Sequence, residues 1–175
     1  MGRFLERVYR SGREDLAAEL AMHFERSRDF QRAASHYELS AATALGRGAN
    51  YEAHSYASNA LDQLATLQSS PERDRQELNV RLNVCAAVSN ISTMADRQVE
   101  HAYNEALALC ERIGDDAQIV PALGTARFHA LRGDVKASRD LAERALTLSG
   151  ATGDPLLRVQ ALHHLAVDLC LLKMP

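Results

Sequence analysis

Four stretches of the chain place small residues at one helical spacing, and this recurrence constrains the fold more than any other feature. Ala33, Tyr37 and Ser40-Ala41 form the first stretch, and Ala53, Ala57 and Ala60-Leu61 the second. Val99, Tyr103 and Ala106-Leu107 follow, then Ser138, Ala142 and Ala145-Leu146. Steps of four and three residues return to one face of an α-helix. A face of small residues lets a neighbouring helix approach closely, and interleaved aromatics fill the space beside the crossing. Ahead of the first stretch, Leu20-Ala21, Phe24 and Arg28-Asp29-Phe30 supply a preceding helix and a turn. No segment alternates with period two, so no strands are expected.

Turn and cap residues divide the chain into about nine helices joined by short breaks, which implies antiparallel neighbours. The expected segments are Arg3–Tyr9, Glu14–Ser27, Asp29–Leu45 and Asn50–Leu67, then a helix from Pro71 to Asn90 or Ile91. Asp96 caps the next, which ends at Gly114, and Asp116–Leu131 follows. The eighth ends near Gly150, and Gly153-Asp154-Pro155 starts a ninth that runs almost to Pro175. Ser69-Ser70-Pro71-Glu72 is a helix start, with Ser at the cap and Pro at the first helical position. A length of 175 residues without a long linker fits a single domain, 1–175.

The spacing of Ala21, Phe24, Ala33, Tyr37 and Ser40-Ala41 matches the tetratricopeptide pattern. Val99 and Ser138 stand further apart than the ~34 residues of that motif, so the repeats are degenerate. Ala33 and Ala53 stand closer, so the helix from Asp29 must be the second of one pair and the first of the next. The resemblance implies an all-α, right-handed superhelix. The last helix carries Leu162, Leu165, Leu169, Leu171 and Leu172 on more than one face. A solenoid end needs a polar outer side, so this helix is expected to be covered by a copy of itself or by a continuation of the chain.

Longer stretches resemble one family more closely. They are Leu16-Ala17-Ala18-Glu19-Leu20-Ala21-Met22-His23-Phe24-Glu25-Arg26, Ser70-Pro71-Glu72-Arg73, Val99-Glu100-His101-Ala102-Tyr103, Leu109-Cys110-Glu111-Arg112-Ile113-Gly114-Asp115, and Arg132-Gly133-Asp134 with Leu141-Ala142-Glu143. Together they resemble the C-terminal tetratricopeptide region of large bacterial signalling ATPases. In that family a class III cyclase or winged-helix domain precedes a P-loop ATPase of the STAND/AAA-like type, and a helical repeat arm follows. The resemblance implies a sensor or regulatory arm in the cytoplasm. No G-x-x-x-x-G-K-[ST] occurs here, so nucleotide chemistry would belong to other parts of such a protein.

Composition excludes several functions. A net charge of −3 offers no electrostatic footprint for nucleic acid. No apolar run of membrane-spanning length exists, and none follows Met1 as a leader would. The three cysteines, Cys85, Cys110 and Cys170, are widely spaced and read as small buried hydrophobes in a reducing compartment. His163-His164 with Asp168 is the nearest approach to a metal set, but His163 points away from the other two and a third ligand is missing. His23 and Glu25 do not share a face. Glu14-Asp15 and Asp115-Asp116 lie at helix starts, where acids favour the dipole. Ser11 and Ser55 have no triad partners. Arg3, Arg7, Arg10 and Arg13 alternate with acids as on a solvated helix. No catalytic, metal or cofactor residue is therefore expected.

The expected functional surface is the wall formed by the first helix of each pair. With Ala21, Cys85, Ala126 and Ala166 at the close crossings, the wall residues are Met22, Glu25, Asn79, Leu82, Arg127, Gln160 and His163. With only Lys136 and Lys173, the chain lacks the Lys/Asn set that clamps a C-terminal carboxylate in some tetratricopeptide domains. The expected partner is a protein or peptide. Alternatives are homodimerisation through Leu165, Leu169 and Leu172, and a groove that senses a small-molecule inducer.

Overall fold

The computed structural model describes residues 16–93, 96–114, 119–153 and 155–171. Among these every regular element is an α-helix, and no strand occurs. Helix α1 covers 16–26, α2 Phe30–Gly46, α3 Asn50–Ala65 and α4 Pro71–Ile91, and they form one compact unit that ends at Ile91. A second unit begins at Ser92 and holds α5 (Arg97–Ile113), α6 (Ile119–Leu131), α7 (Val135–Thr152) and α8 (Pro155–Leu171). Within each unit consecutive helices pack together, and α2 also meets α4 as α6 meets α8. No described helix is long and apolar enough to cross a membrane. The expected segment Arg3–Tyr9, with Arg10, Ser11, Arg13 and Glu14-Asp15, lies outside the described residues, as do Asp115-Asp116, Leu172 and Lys173.

Three corners share one hydrogen-bond pattern. The N–H of Asp29 donates to the Phe24 carbonyl at 2.9 Å, that of Ala49 to Ala44 at 2.9 Å, and that of Asp134 to His129 at 3.0 Å. One residue earlier, Arg28 donates to Glu25, Gly48 to Leu45, and Gly133 to Ala130, at 3.0 to 3.1 Å. This is the Schellman closure, which satisfies the last carbonyls of a helix and needs a left-handed residue. That residue is Arg28 at φ 62°, Gly48 at φ 75° and Gly133 at φ 80°. Each corner then places a small side chain one turn into the next helix. Ala33, Ala53 and Ser138 donate back to Asp29, Ala49 and Asp134, and all three are fully buried. Helix α2 ends the first corner and begins the second, which accounts for the short spacing between Ala33 and Ala53.

Caps fix the other boundaries. Carboxylates of Asp29, Asp96 and Asp134 accept from the N–H of Arg32, Gln98 and Ala137. Ser70 accepts from the Arg73 N–H at 3.2 Å, with Pro71 at the first helical position. Helix α3 stops at Ala65 rather than Leu67, because Thr66 and Leu67 donate to Gln63 and Leu64, three residues back, in tighter turns of the 3-10 type. Arg73 finishes that end, donating from Nε to the Leu64 carbonyl at 3.2 Å, while its guanidinium pairs with Glu77 at 2.6 Å. Helix α7 passes through Gly150 and ends at Thr152, since the chain reverses only at Gly153.

The recurrent small residues are the core. In the first unit Tyr37 packs among Ala21, Ala34, Ala41, Ala57, Ala60, Leu64 and Val80. In the second, Ala122, Leu123, Ala145 and Ala161 pack with Leu107, Leu146, Leu148 and Leu157. Cys85 and Cys110 are buried thiols; the side chain of Cys170 lies outside the described residues. Gly124 of α6 lies against the Tyr103 ring of α5, where a Cβ would overlap the ring atoms.

Two stability tests follow from this geometry. No atom lies within 4 Å of a Cβ built on Gly48 or Gly133, so the cost of Gly→Ala there is conformational alone. Gly48→Ala and Gly133→Ala should each lower stability by about 1 kcal/mol, and Arg28→Gly should raise it by up to about 1 kcal/mol. Gly124→Val drives a branched side chain into Tyr103 and should cost about 1–3 kcal/mol. Urea unfolding monitored by circular dichroism measures all four.

Candidate protein-binding groove

Tight corners make neighbouring helices antiparallel, so α2 and α4 run side by side in the same direction with α3 packed on both. The corners and the core use one face of α2, at Ala33, Ala34, Tyr37 and Ala41. Its remaining positions 35, 38, 39 and 42 follow the helical repeat on another side. There Ser35, Glu38, Leu39 and Ala42 face Asn79, Leu82 and Asn83 of α4 across a groove of about 450 Å³. Leu39 is 54% exposed, so the groove opens to solvent with an apolar side chain on its wall.

A polar clip holds one end. Gln76 of α4 donates to Ser35 Oγ at 3.1 Å and Glu38 Oε2 at 3.0 Å, and accepts from Gln31 Nε2 at 2.9 Å. The amides of Asn79 and Asn83 make no hydrogen bond to the described residues, which leaves their donors and acceptors for a ligand. Glu38 is the one charged side chain among those that line the groove, and no described cation pairs with it. Such a surface suits an extended chain with polar backbone groups and one or two side chains to bury. The Ser35 hydroxyl on its described lining donates to the Gln31 carbonyl at 3.1 Å rather than to Glu38.

The residues expected on the wall fall into three places. Asn79 and Leu82 line the groove together. Met22 is 43% exposed on α1, away from the groove lining. Glu25 is occupied at a helix junction: Oε2 accepts from the Tyr37 hydroxyl at 2.6 Å, and Oε1 from Gln63 Nε2 at 3.1 Å. It ties α1 to α2 and α3. Arg127 of α6, and Gln160 and His163 of α8, are exposed in the second unit. Ser35, Glu38, Leu39 and Ala42 were not among the expected wall residues; the short step from Ala33 to Ala53 is the signal that α2 also serves as a first helix.

On α8 the register differs from expectation. Ala161 is fully buried and Ala166 is exposed, because α6 and α7 cover the early half of the helix through Ala122, Leu123 and Ala145. Val159 (61%) and Leu162 (48%) stand exposed, whereas Leu165 is half-buried. The side chains of Leu169 and Asp168 lie outside the described residues. The rings of His163 and His164 meet edge to face at 6.0 Å. Among the described residues no group of three His, Cys, Asp or Glu is placed to hold a metal ion.

The Glu25 junction carries a pH dependence. Burial first, then the hydrogen bond to Glu25 and the charge of that carboxylate, push the Tyr37 phenol well above its ordinary value. The folded chain holds this proton more tightly than the unfolded chain. The stabilisation is fully present below pH ~10 and is lost as pH rises further, because the unfolded phenol ionises first. Tyr37→Phe should flatten the fall in stability as pH rises above ~10, and cost about 1 kcal/mol at neutral pH. Urea titrations of both proteins at several pH values give the comparison. No family model matches this chain, and no curated protein matches it.

Proposed function

We propose that the chain is a tetratricopeptide-like, non-catalytic scaffold that binds a protein or peptide segment in the α2–α4 groove. The observation that carries this reading is the groove itself: two amides and a carboxylate with no partner or counter-charge among the described residues except Gln76 on the carboxylate, and two leucines on facing walls. Recurrent crossings of small residues support the repeat assignment. The resemblance to the repeat arms of bacterial signalling ATPases supports a regulatory role in the cytoplasm, where a bound partner would bias an attached domain by favouring one conformation of the arm.

A random twelve-residue peptide library displayed on phage, panned on the full chain, tests the groove. Selected peptides should bind the wild type and lose at least tenfold in affinity, about 1.4 kcal/mol, on Leu82→Arg. Equal binding to both proteins would contradict the reading.

A second reading is self-association, supported by Val159 and Leu162 exposed on α8. Here light scattering over a dilution series should show a dimer that Leu162→Glu converts to monomer. A monomer at every concentration would remove this reading.

A further inference from the structure

From the charge and hydrogen-bond state of the groove, we infer that its occupant carries a basic side chain, Lys or Arg, next to an aliphatic one. The basic group sits against Glu38 and the aliphatic one between Leu39 and Leu82. This inference rests on the proposed peptide-binding function and specifies the chemistry of the partner.

Three observations carry it. Among the described lining residues Glu38 is the only acidic or basic side chain, and its described contact is a neutral amide, Gln76 at 3.0 Å. Gln76 is itself bound by Gln31, so the carboxylate is held toward α4, and no described donor reaches its other oxygen. A cation from outside is the complement of this arrangement, because charge-assisted hydrogen bonds to a positioned carboxylate are about twice as strong as neutral ones. Arg75, one turn before Asn79, is already engaged. An acidic occupant would bring like charges together at Glu38, which disfavours it. Asn79 and Asn83 stand one helical turn apart, on the same side of α4 as Leu82. Their amides can each donate to and accept from an extended backbone.

The test uses the same phage library on the full chain, the Glu38→Gln and Glu38→Lys variants, and Leu82→Arg as counter-selection. Clones that depend on Leu82 should be enriched in Lys or Arg beside Leu, Ile or Val. A synthetic fluorescein-labelled copy of the leading clone should bind Glu38→Gln about fivefold more weakly and Glu38→Lys more than tenfold more weakly. Panning on Glu38→Lys should exchange the basic residue for Asp or Glu. Matching thermal melts of Glu38→Gln and the wild type would keep a folding defect from imitating the effect. Leu82-dependent clones without a basic preference, or with affinities unmoved by Glu38→Lys, would overturn this inference and leave the groove reading intact. No Leu82-dependent clones at all would overturn both.

Discussion

Close helix crossings depend on what stands at the point of contact, and here that position is held by Ala or Ser almost throughout. Ala33, Ala53, Ala57, Ala60, Ser138, Ala142 and Ala145 are all fully buried. A chain with so few aromatic residues cannot build its core from large side chains meeting across wide gaps. It brings backbones together instead, and isolated larger groups such as Tyr37, Leu64 and Phe128 fill the remaining space. The Schellman corners serve the same end. Each sets the next helix so that its first inward residue is the small one at the crossing. Two corners use Gly and one uses Arg28, so the geometry is imposed by packing even where the local residue resists it.

The groove is a consequence of that packing. Once α2 commits Ala33, Ala34, Tyr37 and Ala41 to the core, another side of the helix is left beside α4. The two helices run in parallel without interdigitating fully, and the Gln76 clip fixes their spacing at one end. The lining is thus rigid helix rather than loop, which suits recognition by preorganised side chains. Several polar groups elsewhere in the first unit are spent on structure: Glu25 at a three-helix junction, and Arg73 and Glu77 across the α3–α4 turn. Asn79 and Asn83, by contrast, have no partner among the described residues.

Helix existence and the crossing residues were legible in the sequence because both are local or periodic. Ser70-Pro71, Asp96, Asp134 and the Gly114 stop needed no tertiary information. Asn79 and Leu82 were legible because a crossing at Cys85 sets the register of α4, and Cys85 is buried. Glu25 was not, since nothing local reveals a hydroxyl and an amide arriving from two other helices. The α2 wall was missed because a helix shared between two pairs presents two functional faces, and a pattern of pairs assigns it only one. Ala166 misled for a related reason: in an Ala- and Leu-rich helix several registers look alike, and only the neighbours at Ala122 and Ala145 select Ala161.

On the proposed reading, the α2–α4 groove is the binding surface. Its most direct test is a side-chain amide spectrum of the full, nitrogen-15-labelled chain, titrated with a selected peptide. The Asn79 and Asn83 amide signals should move in step with binding while Gln160, on α8, stays in place. Movement at Gln160 with Asn79 and Asn83 unchanged would contradict it and place recognition in the second unit.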